Sequence, residues 1–178
     1  HLIAHHVVVR LGLQEAKLRV LERQFGRSRL YKYFAQMHGY RVLAGSPDVG
    51  GDLAIVWMQH SELSLATLDP SMFRYASPYI ATDLVCGLTR AHAHGFVNLQ
   101  IMPETVHLYW DAQRRQHRPK FMYYFDTCTP RRDLAPCGGR LRMSRFAPPE
   151  AWDAVAEEAD ELSGSSLRAR DVYALGWT

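Results

Sequence analysis

The amino-acid sequence predicts an α+β fold, with a small β-rich part followed by a larger helical one. Three observations carry that expectation. β-branched or alternating runs are concentrated before residue 60, one long amphipathic segment spans about 78–94, and alanine- and acid-rich helix formers gather near the end. Residues 1–60 are expected to form one part and residues 61–178 the other.

The elements follow in order. "HHVVVRLG" (5–12) is β-branched, ends in glycine and reads as a strand. In "QEAKLRVLERQ" and the residues after it, Leu18, Leu21 and Phe25 recur at helical spacing among good helix formers. "RLYKYFAQMHGYRVLA" and "LAIVWM" read as short strands on either side of a "GSPDVGGD" turn. In "SPYIATDLVCGLTRAHAHG", Ser77 suits an N-cap, Pro78 the first helical position and Gly95 a left-handed stop. Ile80, Leu84, Val85, Leu88 and Ala91 are expected to form one apolar stripe, with Cys86 close to it as a small core residue. "VHLYW" and "KFMYYF" then read as two strands flanking a basic loop, and residues 127–146 as irregular. "PPEAWDAVAEEADEL" starts a helix with proline and acid in its first turn and Trp152, Val155, Ala159 and Leu162 on one side. "SGSS" breaks it before a last segment, "RARDVYALGWT".

Composition narrows the function classes. The chain has 178 residues, 47% hydrophobic and 22% charged, and no run approaches the roughly 18 apolar residues of a membrane helix. A soluble globular protein is expected. No signal peptide is visible, although a chain that begins at His1 leaves room for an upstream segment. Three cysteines (Cys86, Cys128, Cys137) lack CxxC spacing, which argues against a disulfide scaffold or zinc site; a Cys128–Cys137 bridge stays open. The formal charge is only +3, and the densest basic run, "RRQHRPK" (114–120), has no aromatic interleaved for base stacking. It reads as a solvated hairpin loop, which argues against nucleic acid as a partner. His5 and His6 are adjacent on a strand, and His92 and His94 are two apart on a helix, so neither pair shares a face for a metal.

The segment "LTRAHAHGFVNLQIMPETVHLY" carries a resemblance. It is similar to the protein kinase pattern of a helix ending in His and Gly, then V-H-R-D-I-K-P-E-N-V-L-L. Leu88, His92, Gly95, Val97, Ile101, Pro103, Glu104 and Val106 keep that register. Downstream, "YYFDTC" falls where kinases place D-F-G, "FAPPE" resembles A-P-E, and "DVYALG" resembles the D-V-W-S-L-G that opens a buried central helix. These matches cover residues 78–178. The resemblance implies a protein-kinase-like bilobal domain, its β-rich small lobe within 1–60 and its helical lobe within 61–178, cut short at both ends.

The departures imply lost chemistry. In kinases the loop Asp takes the substrate hydroxyl's proton, the Lys contacts phosphate and the Asn holds a second magnesium ion. Here those positions are Gln100, Met102 and Thr105, and the His-Arg before the Asp has become Asn98-Leu99. An amide offers no proton-accepting anion, and loss of a general base costs about 10²–10⁴ in rate. The resemblance therefore implies a pseudokinase that works by binding another protein, with ATP and magnesium bound weakly or not at all.

Asp126, at the D-F-G aspartate position, either binds one magnesium ion or caps a turn before Pro130; Thr127 and Cys128 replace the Phe and Gly. In "VVVR", Arg10 stands where a nucleotide-contacting Lys belongs, with Glu22 its best partner, or is a solvated strand-end residue. By the same resemblance Asp171 caps the loop's backbone amides, and Glu150 pairs with an arginine of a later helix. Two alternatives remain: an atypical active kinase working through Asp126, and a basic nucleic-acid-binding module using 114–120. A narrower likeness, to the rhoptry kinase-like proteins of apicomplexan parasites, rests on the degenerate loop, "FAPPE" and "DVYALGWT" and would imply secretion.

Overall fold

A computed structural model describes residues 4–11, 15–26, 29–43, 52–97, 99–122, 145–149 and 164–178. The fold is α+β, and the chain divides into two compact units, 1–60 and 61–178.

The first unit is a three-stranded antiparallel sheet with a short helix. Its strands are β1 (Ala4–Leu11), β2 (Met37–Leu43) and β3 (Asp52–Gln59), with β3 in the centre. Alternation on β3 is strict: Ala54, Val56 and Met58 are fully buried while Ile55, Trp57 and Gln59 are half-buried. Helix α1 (Glu15–Leu21), which runs on as a π-helical turn over Glu22–Gly26, buries the expected Leu18, Leu21 and Phe25. Phe25 packs on Phe34 with ring centroids 4.8 Å apart. The expected strand at 30–36 is instead a 3₁₀ turn (Arg29–Lys32) and its exit, because the Leu30 carbonyl accepts from both Tyr33 N (2.9 Å) and Phe34 N (3.1 Å). Those side chains are buried whichever way the backbone runs, so apolar content alone misleads there.

The second unit is organised by α2 (Pro70–Ala93). It starts at Pro70, not at Pro78: Asp69 is the N-cap, its carboxylate accepting from Ser71 N at 2.7 Å. Ser77-Pro78 lies inside the helix, with Pro78 exposed and the Thr82 hydroxyl donating to the Pro78 carbonyl at 2.8 Å. That sequence signal marks where burial begins, at Ile80, rather than where the helix begins. Ile80, Leu84, Leu88 and Ala91 are buried as expected, but Val85 is 54% exposed and Cys86 is a free, exposed thiol. At about 100° per residue the four buried positions share an arc of roughly 80°. Val85 lies about 140° and Cys86 about 240° round from Ile80, outside that arc. The helix ends at Gly95 (φ +83), with Phe96 N donating to Ala91 O and Gly95 N to His92 O, a Schellman closure.

A loop over 96–105, closing in a 3₁₀ turn (Pro103–Thr105), leads into an antiparallel hairpin of β4 (Val106–Asp111) and β5 (Gln116–Phe121). Strand β5 starts before the expected Lys120, so only Arg114 and Arg115 of the basic run lie in the turn and the rest lies in the strand. Arg114 and Arg115 are exposed, but Arg118 is only 6% exposed, its Nε donating to Asp83 Oδ2 of α2 at 2.7 Å and its Nη2 to Oδ1. The expected solvated loop is thus only a four-residue turn.

Helix α3 (Gly164–Trp177) begins inside "SGSS", packs against α2, and buries Leu167, Arg170, Asp171 and Ala174 along one side. No helix among the described residues is long and apolar enough to cross a membrane. Asn98, Asp126, Cys128, Cys137, Glu150 and all but the first two residues of the helix expected over 148–162 lie outside the described residues.

Candidate functional site

The loop after α2 is built by alternation. Val97, Leu99 and Ile101 are buried and anchor it, which leaves Gln100 and Met102 half-exposed between them. Gln100 has φ 47, in the left-handed region that residues with a β-carbon rarely adopt. Something must hold the backbone there, and two side chains do.

The first is Asp171, 2% exposed on α3. Its Oδ1 accepts the Leu99 amide proton at 2.9 Å, and its Oδ2 lies 3.0 Å from His92 Nε2, in the last turn of α2. One buried carboxylate thus ties a helix end, the loop and a second helix together. Its neighbour Arg170 is also buried; burial pulls the guanidinium pKa down while the Asp171 charge opposes that shift.

The second is Thr105, 6% exposed. Its hydroxyl accepts from Met102 N at 3.0 Å, and its single proton lies between the carbonyls of Gln100 (2.8 Å) and Met102 (3.0 Å). The Thr105 carbonyl accepts from Met122 N at 2.8 Å, which joins the loop to the end of β5. With its hydroxyl so committed, Thr105 is a staple of the loop, not an oxygen turned to solvent for a metal. Glu104, the only acid from Gly95 to Thr105, is exposed and pairs with Arg145 at 3.0 Å.

The chemistry that follows is limited. Gln100 supplies an amide, Met102 a thioether, and Glu104 a carboxylate already facing a guanidinium. Among the described residues, no group of three or more His, Cys, Asp or Glu side chains is placed to hold a metal. Arg10 is placed by its backbone opposite Leu53, and Glu22 is half-buried in the turn after α1; their expected pair falls outside the described side chains. Asp126 and Glu150 fall outside the described residues.

Sequence reasoning missed three partners. His92 enters the sequence reading as a position of the kinase-like register and as a rejected metal ligand, and its bond to Asp171 spans 79 positions. The signal was a histidine in the last turn of a long helix, just before an irregular loop. Asp83 and Arg118, 35 positions apart, carry no local sign of each other, since each reads as an ordinary surface charge.

On the polar side of the hairpin, Lys120 Nζ sits 5.2 Å from the Tyr109 ring centre. Burial, then the nearby Arg118 charge, pushes its pKa down to about 8, against the pull of Asp111. Burial pushes the Tyr109 phenol up from its ordinary value.

No protein-family model matches the chain, and no curated protein matches it as a relative.

Proposed function

We propose that this chain is a non-catalytic protein-kinase-like domain, a pseudokinase, that acts by binding another protein and binds ATP and magnesium weakly or not at all. The observation that carries the reading is the loop at Gln100. Its backbone is clamped by a buried acid and a buried threonine, yet the half-exposed side chains it presents are an amide and a thioether. A frame this firmly held around groups unable to remove a proton or neutralise a phosphate fits a scaffold that outlived its chemistry. In this reading the sheet unit 1–60 is the small lobe and the helical unit 61–178 the large one. α2, the β4–β5 hairpin and α3 then take the places of the helix, strand pair and central helix around the kinase loop. The narrower likeness to secreted rhoptry kinase-like proteins belongs to the same proposal.

The test is thermal melting across an ATP titration, with and without magnesium, beside an assay for transfer of the γ-phosphate. The expected result is no magnesium-dependent stabilisation at millimolar ATP and no transfer. An atypical kinase working through Asp126 would instead gain roughly 2.7 kcal/mol at a hundredfold excess over its dissociation constant. Transfer that disappears in Asp126→Ala would overturn the proposal.

A further inference from the structure

The basic run lacks an interleaved aromatic in the sequence, but the fold supplies one from across the hairpin. The register pairs Trp110 with His117, the indole is 61% exposed, and the imidazole meets it edge-on with centroids 5.2 Å apart. Beside this pair the exposed turn carries Arg114 and Arg115. No carboxylate among the described residues pairs with either guanidinium. Asp111, the acid nearest in sequence, is already occupied. Its Oδ1 accepts from Gln113 N (3.0 Å) and Arg114 N (3.1 Å), and its Oδ2 faces Arg118 at 3.9 Å.

Arg115 adds an independent observation. Its φ of 52 lies in the left-handed region, where glycine or asparagine sits more easily. An exposed arginine in that conformation contributes nothing visible to the fold, and an outlier of this kind points to a use for the side chain.

We infer that the hairpin tip is the anchor by which the chain docks onto a protein partner presenting acidic side chains around an apolar or aromatic slot. The inference rests on the protein-binding reading above and names the partner's chemistry. Tryptophan and arginine dominate the energetic centres of protein interfaces. An indole already braced by His117 loses little freedom on docking. The two arginines favour encounter with an acidic surface. Single-stranded nucleic acid shares the stacking and charge chemistry, but Arg118 is spent on Asp83 and Lys120 lies over Tyr109. Two guanidiniums make a short track for a phosphate backbone.

The experiment selects a displayed library of short random peptides on the full chain and titrates the recovered sequences as free peptides. Recovered peptides are expected to be rich in Asp and Glu around an aromatic residue or leucine. Trp110→Ala and Arg114→Glu should each weaken them by at least about tenfold. Arg115→Gly should weaken them too while raising the melting temperature by roughly 2 °C, a split that a merely structural arginine would not give. Peptides without acids, affinities indifferent to Trp110→Ala, or displacement by a single-stranded oligonucleotide of higher affinity would each overturn the inference. Failure here leaves the non-catalytic reading standing, whereas phosphate transfer would sink that reading and leave these affinities untouched.

Discussion

Among the described residues of the second unit, two turns rest on a residue other than glycine in the left-handed region, and they are held by different means. The loop at Gln100 (φ 47) has, besides its local Thr105 staple, a hold from a distance, an Asp171 carboxylate 72 positions from its Leu99 partner. The hairpin turn at Arg115 (φ 52) is held locally, by Asp111 bonding amides two and three positions on. The difference teaches where chemistry can drift. A backbone clamped by its surroundings keeps its path whatever side chain sits at its apex, so position 100 can change its chemistry without changing its shape. A backbone held only by its own turn has no such shelter, and a costly residue there must be maintained by what the side chain does.

Cutting each clamp gives the largest effect and the sharpest test of that contrast. Asp171→Ala leaves the Leu99 amide and the His92 ring facing a void, and should cost about 2–4 kcal/mol in chemical denaturation. Asp171→Asn keeps an acceptor for Leu99 and should lose less. Asp111→Ala breaks two bonds that water can replace and should cost under about 1 kcal/mol. Equal losses at 171 and 111 would erase the distinction between distant and local support.

The hairpin carries its own buried tension, on the strand side rather than at the tip. The Lys120 pKa is about 8 in the folded chain against 10.5 when exposed. Between those values the unfolded chain holds more protons, so stability rises with pH through that window, by at most about 1.4 kcal/mol per pH unit. Tyr109 acts in the other direction. Its phenol keeps its proton in the fold above its ordinary value of 10.0, so stability falls as pH climbs past that point. Denaturation curves should therefore show stability climbing from about pH 8 towards pH 10. Lys120→Met should flatten the climb; a climb that survives would mean the lysine is not its source.

What the sequence disclosed and what it hid follow the same line between near and far. The Gly95 stop, the Leu18/Leu21/Phe25 side of α1 and the strand over "LAIVWM" were legible because each depends on neighbours within a few positions. The start of α2 was misplaced because two proline signals compete, and the choice between Asp69-Pro70 and Ser77-Pro78 depends on which cap engages. Val85 and Cys86 were put too near the core because an apolar type was read without its angle round the helix. At the site, the odd residues at 100, 102 and 105 were visible, but the threonine's role as a staple was not, since its three contacts form only once the loop closes. Arg118 looked solvated for a similar reason: a basic residue in a basic run gives no sign of a half-buried carboxylate on another element.

The smallest effect is at the apex itself. Gln100→Gly removes the β-carbon from a left-handed residue, a relief of about 1–2 kcal/mol. Against it stands the extra freedom glycine brings to the unfolded chain, about 0.5–1 kcal/mol. The net should be a gain of about 0.75 kcal/mol at the middle of those ranges, read by urea denaturation. Gln100→Asp places a carboxylate at the same point, and aspartate tolerates this backbone well. Fold and melting temperature should hold, and no phosphate transfer should appear, because Met102 still offers no positive charge and the Thr105 hydroxyl stays bound to the loop's own backbone. If transfer did appear in Gln100→Asp, a single missing base would be all that separates this loop from a working one. The clamp at Asp171 would then be holding an active geometry, not a relic of one.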